Sequence, residues 1–161
     1  MADNPTSKGV IEAHRLWLRE RIATLEGSAR AAQEGMRVDG DHRPASRGER
    51  GAVSERGAMR AGLLMRVSAL KDALGALDAV PVRTHETIIA GAVAQVDDGD
   101  TQWWLAILPG GQGNLVQAGT AVQIISPQAP MARVLLGLEE DDVAELHRPS
   151  GEVELEVLTV V

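Results

Sequence analysis

The hydrophobic periodicity of this chain changes once, at Val80-Pro81-Val82, and that change restricts the fold to two unlike parts. Before it, apolar residues recur at steps of three and four, which places them on one face of a helix. From Ile11 the stripe runs through Leu18, Ile22, Leu25, Ala29 and Ala32 to Met36, with Arg15 as its polar exception. This predicts a helix over residues 7–36, opened by Thr6 or Ser7 as N-cap. A second stripe, Leu63, Val67, Leu70, Leu74 and Leu77, predicts a helix over 58–79. Pro81 ends it, because proline cannot supply the next N–H. Two narrow stripes whose other faces are charged pack as an antiparallel helical hairpin of coiled-coil type over residues 1–80.

The text between the stripes, residues 35–57, is rich in glycine and in alternating charge. It has too little apolar area to offset the entropy of ordering a core. It is a linker, or a hairpin tip whose helices resume partway through. A helix of 25–30 residues reaches roughly 40 Å, so such a tip suits a narrow channel in a partner.

After Pro81 the chain breaks into short β-rich runs: 88–89, 92–96, 103–108, 115–116, 121–125, 143–146 and 153–161. Asp97-Asp98-Gly99-Asp100, Pro109-Gly110-Gly111, Ala118-Gly119 and Pro149-Ser150-Gly151 separate them as turns. Val153, Leu155 and Val157 alternate onto one face. Trp103 and Trp104 straddle two faces, which predicts one core ring and one partly exposed ring. The class is α+β, with a small antiparallel sheet and one short helix over 81–161.

Composition removes several functions. With no cysteine there is no disulfide, thiol nucleophile or Cys-ligated zinc. Three tryptophans and no Phe or Tyr leave few stacking platforms for single-stranded nucleic acid. No apolar run approaches a membrane span, which makes the cytoplasm the expected compartment. Residues 1–80 carry 13 Lys+Arg against 11 Asp+Glu, a net of +2, and residues 81–161 carry 3 against 12, a net of −9; together they give −7. An acidic C-terminal half repels phosphate backbones, so any contact with nucleic acid is indirect and a basic protein surface is the better partner.

One stretch, residues 124–143, reads as strand, corner, short helix, acidic turn and strand. Ile124-Ile125 closes a strand, and Ser126-Pro127 with Ala129-Pro130 makes a two-proline corner. Met131, Val134, Leu135 and Leu138 give one or two helical turns, Gly137 interrupts them, and Glu139-Glu140-Asp141-Asp142 precedes the next strand. The stretch resembles the C-terminal signature of the GreA/GreB family of transcription elongation factors, roughly I-S-x-x-S-P-L-G-x-A-L-L-G-x-x-x-G-D-x-V. Ile125-Ser126, Pro130, Leu135-Leu136-Gly137, Asp142 and Val143 fall on it. Ala129 replaces the second Ser, Met131 the Leu, Ala132 the first Gly, and Asp141 the Gly before Asp142. Looser agreement extends over residues 85–161.

The resemblance implies an FKBP-like fold for the sheet domain, RNA polymerase as partner and a hairpin that enters the polymerase's secondary channel. It implies no enzyme activity and no cofactor of the chain's own. Acidic tip residues in that family help hold a magnesium ion shared with the polymerase, whose own active site cleaves the transcript. Asp39 and Asp41 are the candidates here, with Glu49 more distant and Arg37, Arg43, Arg47 and Arg50 competing as ion-pair partners. The tip does not reproduce the family's G-D-L-x-E-N-x-E-Y pattern, which points to modulation of elongation rather than cleavage. The docking surface falls on Ile125, Ser126, Pro127, Pro130 and Met131, where two prolines limit the entropy lost on binding. The bland alternative for the corner is a turn that only closes the sheet. The alternative for the whole chain is a non-catalytic interaction module whose hairpin self-associates, with no polymerase involved.

His14, His42, His85 and His147 lack ligand spacing. Ser126 has no base beside it in sequence and reads as a turn hydroxyl. Gly110-Gly111-Gln112-Gly113 lacks the following Lys and the helix of a phosphate loop. An FKBP-like fold also raises prolyl isomerisation, but such pockets need several aromatic rings and the fold does not bring the function.

Overall fold

The computed structural model describes residues 3–35 and 46–161. Two helices come first, α1 (Ser7–Glu34) and α2 (Arg47–Leu77). They are followed by β1 (Val93–Asp97), β2 (Gln102–Ile107), β3 (Asn114–Gln117), β4 (Thr120–Ile125), α3 (Pro130–Leu135), β5 (Val143–Arg148) and β6 (Gly151–Val160). This is the α+β layout that the change of periodicity predicts. By its contacts the chain divides into two compact units, one of Trp17–Asp72 and one of Met1–Leu16 with Ala73–Val161.

In the helical unit the two stripes face inward. Leu18, Ile22, Leu25 and Ala29 of α1 and Val67 of α2 are buried, with Leu63 and Leu70 half-buried beside them. The antiparallel register is tied at the surface by Lys71 Nζ on Glu26 Oε1 at 2.6 Å. Arg56 Nη1 donates to the Gly35 carbonyl at 2.6 Å, further toward the tip. The second helix begins at Arg47 and not near residue 58 as the apolar stripe predicts. Its start is fixed by polar chemistry that hydrophobic periodicity does not register. The Glu49 N–H donates to Ser46 Oγ at 3.1 Å and the Ser46 N–H donates to Glu49 Oε2 at 3.3 Å, a reciprocal capping box.

The sheet unit holds one six-stranded sheet in the order β3-β4-β2-β1-β6-β5. Four of its pairs are antiparallel and β2 with β4 is parallel, so the sheet is mixed. The parallel pair follows from β3, which turns out to the edge and sends β4 back in the direction of β2. The β3–β4 hairpin closes through Ala118-Gly119, both with positive φ (52° and 77°), which matches the right-handed twist of the strands. Ile88-Ile89 forms no strand. Thr87 makes only an isolated bridge to Glu139, while Ile88 bonds the irregular segment after α3: its N–H donates to the Leu138 carbonyl and its carbonyl accepts from Gly137, both at 2.8 Å.

The core under α3 gathers Val96, Leu105, Ile107, Leu146, Leu155 and Val157, onto which α3 places Ala132 and Leu135. Leu155 and Val157 are the inward positions of the alternation in β6, and Val153 packs at its margin. Trp103 and Trp104 are both half-buried, so neither ring is a full core residue. At the start of α1, Thr6 Oγ1 accepts from the Gly9 N–H at 3.1 Å as N-cap, while Ser7 Oγ donates to the Gly91 carbonyl at 2.6 Å. His14 Nε2 meets the Pro109 carbonyl at 2.9 Å, tying this end of α1 to the loop after β2.

Candidate functional site

Ile125 ends β4 nearly buried, at 8% exposure, and the chain then turns outward. Ser126, Pro127, Gln128 and Ala129 form a tight turn closed by the Ala129 N–H on the Ser126 carbonyl at 3.0 Å. Pro127 occupies the turn position for which its fixed φ is suited. Ser126 Oγ donates to Gln128 Oε1 and accepts from the Gln128 N–H, so its hydroxyl serves the turn. Pro130 then starts α3 at its first position, where the missing N–H costs nothing. Two fixed φ angles within four residues make the corner stiff.

Its surface is mostly uncharged. Gln128 and Pro130 are exposed, Ser126, Pro127, Ala129 and Met131 are half-buried, and Leu136 at the far end of α3 is 40% exposed. Arg133 is the exposed cation of α3, and the acidic turn Glu139–Asp142 follows it. The corner is braced from behind. The Leu108 N–H donates to the Ile125 carbonyl at 3.0 Å, and the Ile124 N–H donates to the Gly113 carbonyl at 2.8 Å. A Cβ on Gly111 would lie 2.4 Å from the Ile125 carbonyl oxygen, so only glycine lets this loop close on the strand. The loop that sequence patterns exclude as a phosphate cradle is therefore a brace for the corner, and its glycine run was the signal for that close approach.

Ile125, Ser126, Pro127, Pro130 and Met131 thus fall in one continuous segment at one end of the sheet. Asp39 and Asp41, with Arg37, His42 and Arg43, lie outside the described residues. Among the described residues no group of three or more His, Asp or Glu side chains is placed to hold a metal ion. His147 pairs with Glu152 at 2.9 Å on the sheet surface. His14 and His85 are buried, and burial lowers the proton affinity of both. No described helix is long and apolar enough to cross a membrane. What the corner offers a partner is shape and apolar contact.

The outer sheet face is strongly acidic. Glu145 stands opposite Glu154, and Glu156 lies between Asp97 and Val143 in the ladder. Val143 is 55% exposed among these carboxylates.

Residues 115–161 match the family of transcription elongation factor GreA/GreB C-terminal domains. A transcription elongation factor GreA of Sulfurovum sp. (strain NBC37-1) is 38% identical over 89 residues, covering 53% of this chain and 52% of the relative. The chain therefore spans about half the length of that relative. A GreA of Halorhodospira halophila is 28% identical over 149 residues, covering 92% of this chain and 88% of the relative. The solved structure of GreA factor homolog 1 (Gfh1) of Thermus thermophilus aligns at 20% identity over 94% of both chains, with a TM-score of 0.38.

Proposed function

We propose that this chain, a divergent member of the GreA/GreB family through its C-terminal domain, is a transcription elongation factor that acts by binding RNA polymerase. The observation that carries this reading is the braced two-proline corner lying inside the matched segment 115–161. A rigid, weakly charged protrusion loses little entropy on docking and leaves its apolar contacts as net affinity. In this reading Ile125, Ser126, Pro127, Pro130 and Met131 hold the polymerase at the rim of its secondary channel, and the helical hairpin enters the channel. In this reading the chain supplies no catalytic centre of its own. Asp39 and Asp41 at most lend carboxylates to a magnesium ion that the polymerase already ligates, raising the ion's occupancy. The departure of the tip from the family pattern favours modulation of elongation over stimulation of cleavage.

Capture of core polymerase on the immobilised chain tests the docking. Pro130→Ala with Met131→Asp should weaken it at least about tenfold, since an apolar contact is replaced by a charge and the corner loses a constraint. An acidic residue in the first turn of a helix favours the helix, but Met131 also packs against the core, so a thermal melt must show the fold retained before the loss is assigned to docking. Unchanged capture removes the corner from the interface. Transcript cleavage in stalled complexes, with and without Asp39→Ala/Asp41→Ala, separates the two modes of action. Equal rates take the carboxylates out of the mechanism.

Self-association through α2 is the second reading, favoured by Met59 at 61% and Met65 at 74% exposure. Light scattering that shows a concentration-dependent mass, without capture of polymerase, would select it.

A further inference from the structure

The sheet ends on β5, and one side of that strand carries no neighbour. The Val157 N–H donates to the Asp142 carbonyl at 2.8 Å, one step before the Val143↔Glu156 pair of the β5–β6 ladder. Hydrogen-bonded pairs recur at every second residue of an antiparallel ladder. Ala144, Leu146 and Arg148 therefore turn their backbone groups to β6, and Val143, Glu145 and His147 turn theirs outward. Among the described residues no backbone group pairs with them. Such a row of unpaired N–H and C=O groups is a template for a further strand.

The side chains along this edge decide which strand it admits. Val143, Glu145 and His147 are exposed, on the face that Glu154 and Glu156 share. Glu145 directly faces Glu154, a like-charge pair that weakens the ladder, and Val143 lies in one row with Glu156 and Asp97. A groove of about 230 Å³ opens here, lined by Asp97, Asp98, Gly99, Val143, Glu154 and Glu156. None of its carboxylates, nor Glu145, makes an ion pair with a described cation. Two copies of β5 side by side would bring these charges together, so the edge rejects its own kind. The other edge, β3, carries no charged residue.

We propose that β5 takes an extended segment of a partner protein as a further antiparallel strand, with Lys or Arg at alternate positions of that segment. Backbone pairing to Val143, Glu145 and His147 holds the segment, and charge selects it. A cation opposite Glu145 reaches Glu154 behind it. A cation opposite Val143 lays its methylene stem on the valine and carries its head toward Glu156 and Asp97. His147 already pairs with Glu152, so the edge asks for two basic residues with one between them. A basic surface that is helical or folded offers the charge without the backbone groups. The edge shares no residue with the two-proline corner, and the proposal stands apart from the docking there.

The test is a titration of the full chain with the blocked peptide acetyl-Thr-Lys-Val-Arg-Val-Thr-amide, followed by amide NMR and hydrogen exchange. Saturable shifts along β5 are expected, with slowed exchange at the Val143, Glu145 and His147 amides and no change at Val116. A peptide with Glu for both cations should bind at least about tenfold more weakly. The basic peptide N-methylated at its Lys and Arg keeps both charges but loses the N–H groups that face β5, and it too should bind about tenfold more weakly. Glu154→Gln with Glu156→Gln should weaken binding to a similar degree. Both residues are exposed, so the fold is kept, as a thermal melt checks. No saturable binding, or equal binding of the Glu peptide, overturns the proposal. Equal binding of the N-methylated peptide overturns it as well, by reducing the edge to a patch of charge, and so do shifts that fall on β3 instead of β5. No polymerase is present, so failure here leaves the docking account standing and the reverse also holds.

Discussion

Ala129 and Asp141 occupy positions where the local backbone asks for another residue. Ala129 is the N-cap of α3, with extended geometry (φ −61°, ψ 142°) and no side chain to bond the first turn. Ala129→Ser should add about 1 kcal/mol of stability by satisfying one orphan N–H, read by chemical denaturation. Asp141 holds φ at 70°, where a Cβ is crowded and Asp is tolerated rather than favoured. Asp141→Gly should stabilise by up to about 1 kcal/mol if strain relief exceeds the added freedom of the unfolded chain. Gly111→Ala should act in the opposite direction, costing about 1–3 kcal/mol, because the new methyl group meets backbone at Ile125. His14 makes stability depend on pH. Its folded proton affinity lies below the ordinary value of 6.5, so the unfolded chain takes up the proton first as pH falls. Stability is therefore complete above about pH 6.5 and is lost below it, until the folded histidine also protonates. Equilibrium unfolding across that range should show the slope, and His14→Gln should reduce it, leaving the part that His85 contributes with the same sign.

At the scale of elements, the sequence announces whatever depends on near neighbours and hides what depends on distant pairing. The stripes from Ile11 and from Leu63 are legible because one helix face repeats every three or four residues, and β6 is legible because Val153, Leu155 and Val157 alternate. The start of α2 was legible too, but in Ser46-Arg47-Gly48-Glu49 and not in its apolar residues. The parallel pairing of β2 with β4 was not, since nothing local in β4 states which strand lies beside it. The glycine run signals a close approach there, but that Ile125 is what Gly111 meets was hidden, because only that pairing brings the two together. The stiffness of the corner itself was readable from its two prolines. The capping box gives a test at this scale. Ser46→Ala should cost about 1 kcal/mol locally and speed amide exchange over the first turns of α2, leaving exchange in the sheet unchanged.

For the whole molecule, the account rests on a division of labour. The sheet unit carries the braced corner and most of the chain's negative charge, and the helical unit, with 11 Lys+Arg against 8 Asp+Glu, carries a small positive charge and the facing apolar stripes. In the proposed docking, a partner that meets the sheet unit is steered to it by charge as well as held by the corner. Capture of polymerase should therefore weaken as salt is raised from about 0.05 to 0.3 M, because exposed charges are screened beyond a Debye length of roughly 10 Å. The most direct measurement of the central claim is site-specific photo-cross-linking with core RNA polymerase, the reactive group placed at position 131. The account predicts cross-links from that position to a polymerase subunit, and few from position 116 on the edge strand β3, which faces the end of β4 away from the corner and where Val116 is 68% exposed. Equal yields from the two positions, or none from 131 while the complex remains intact, would contradict it.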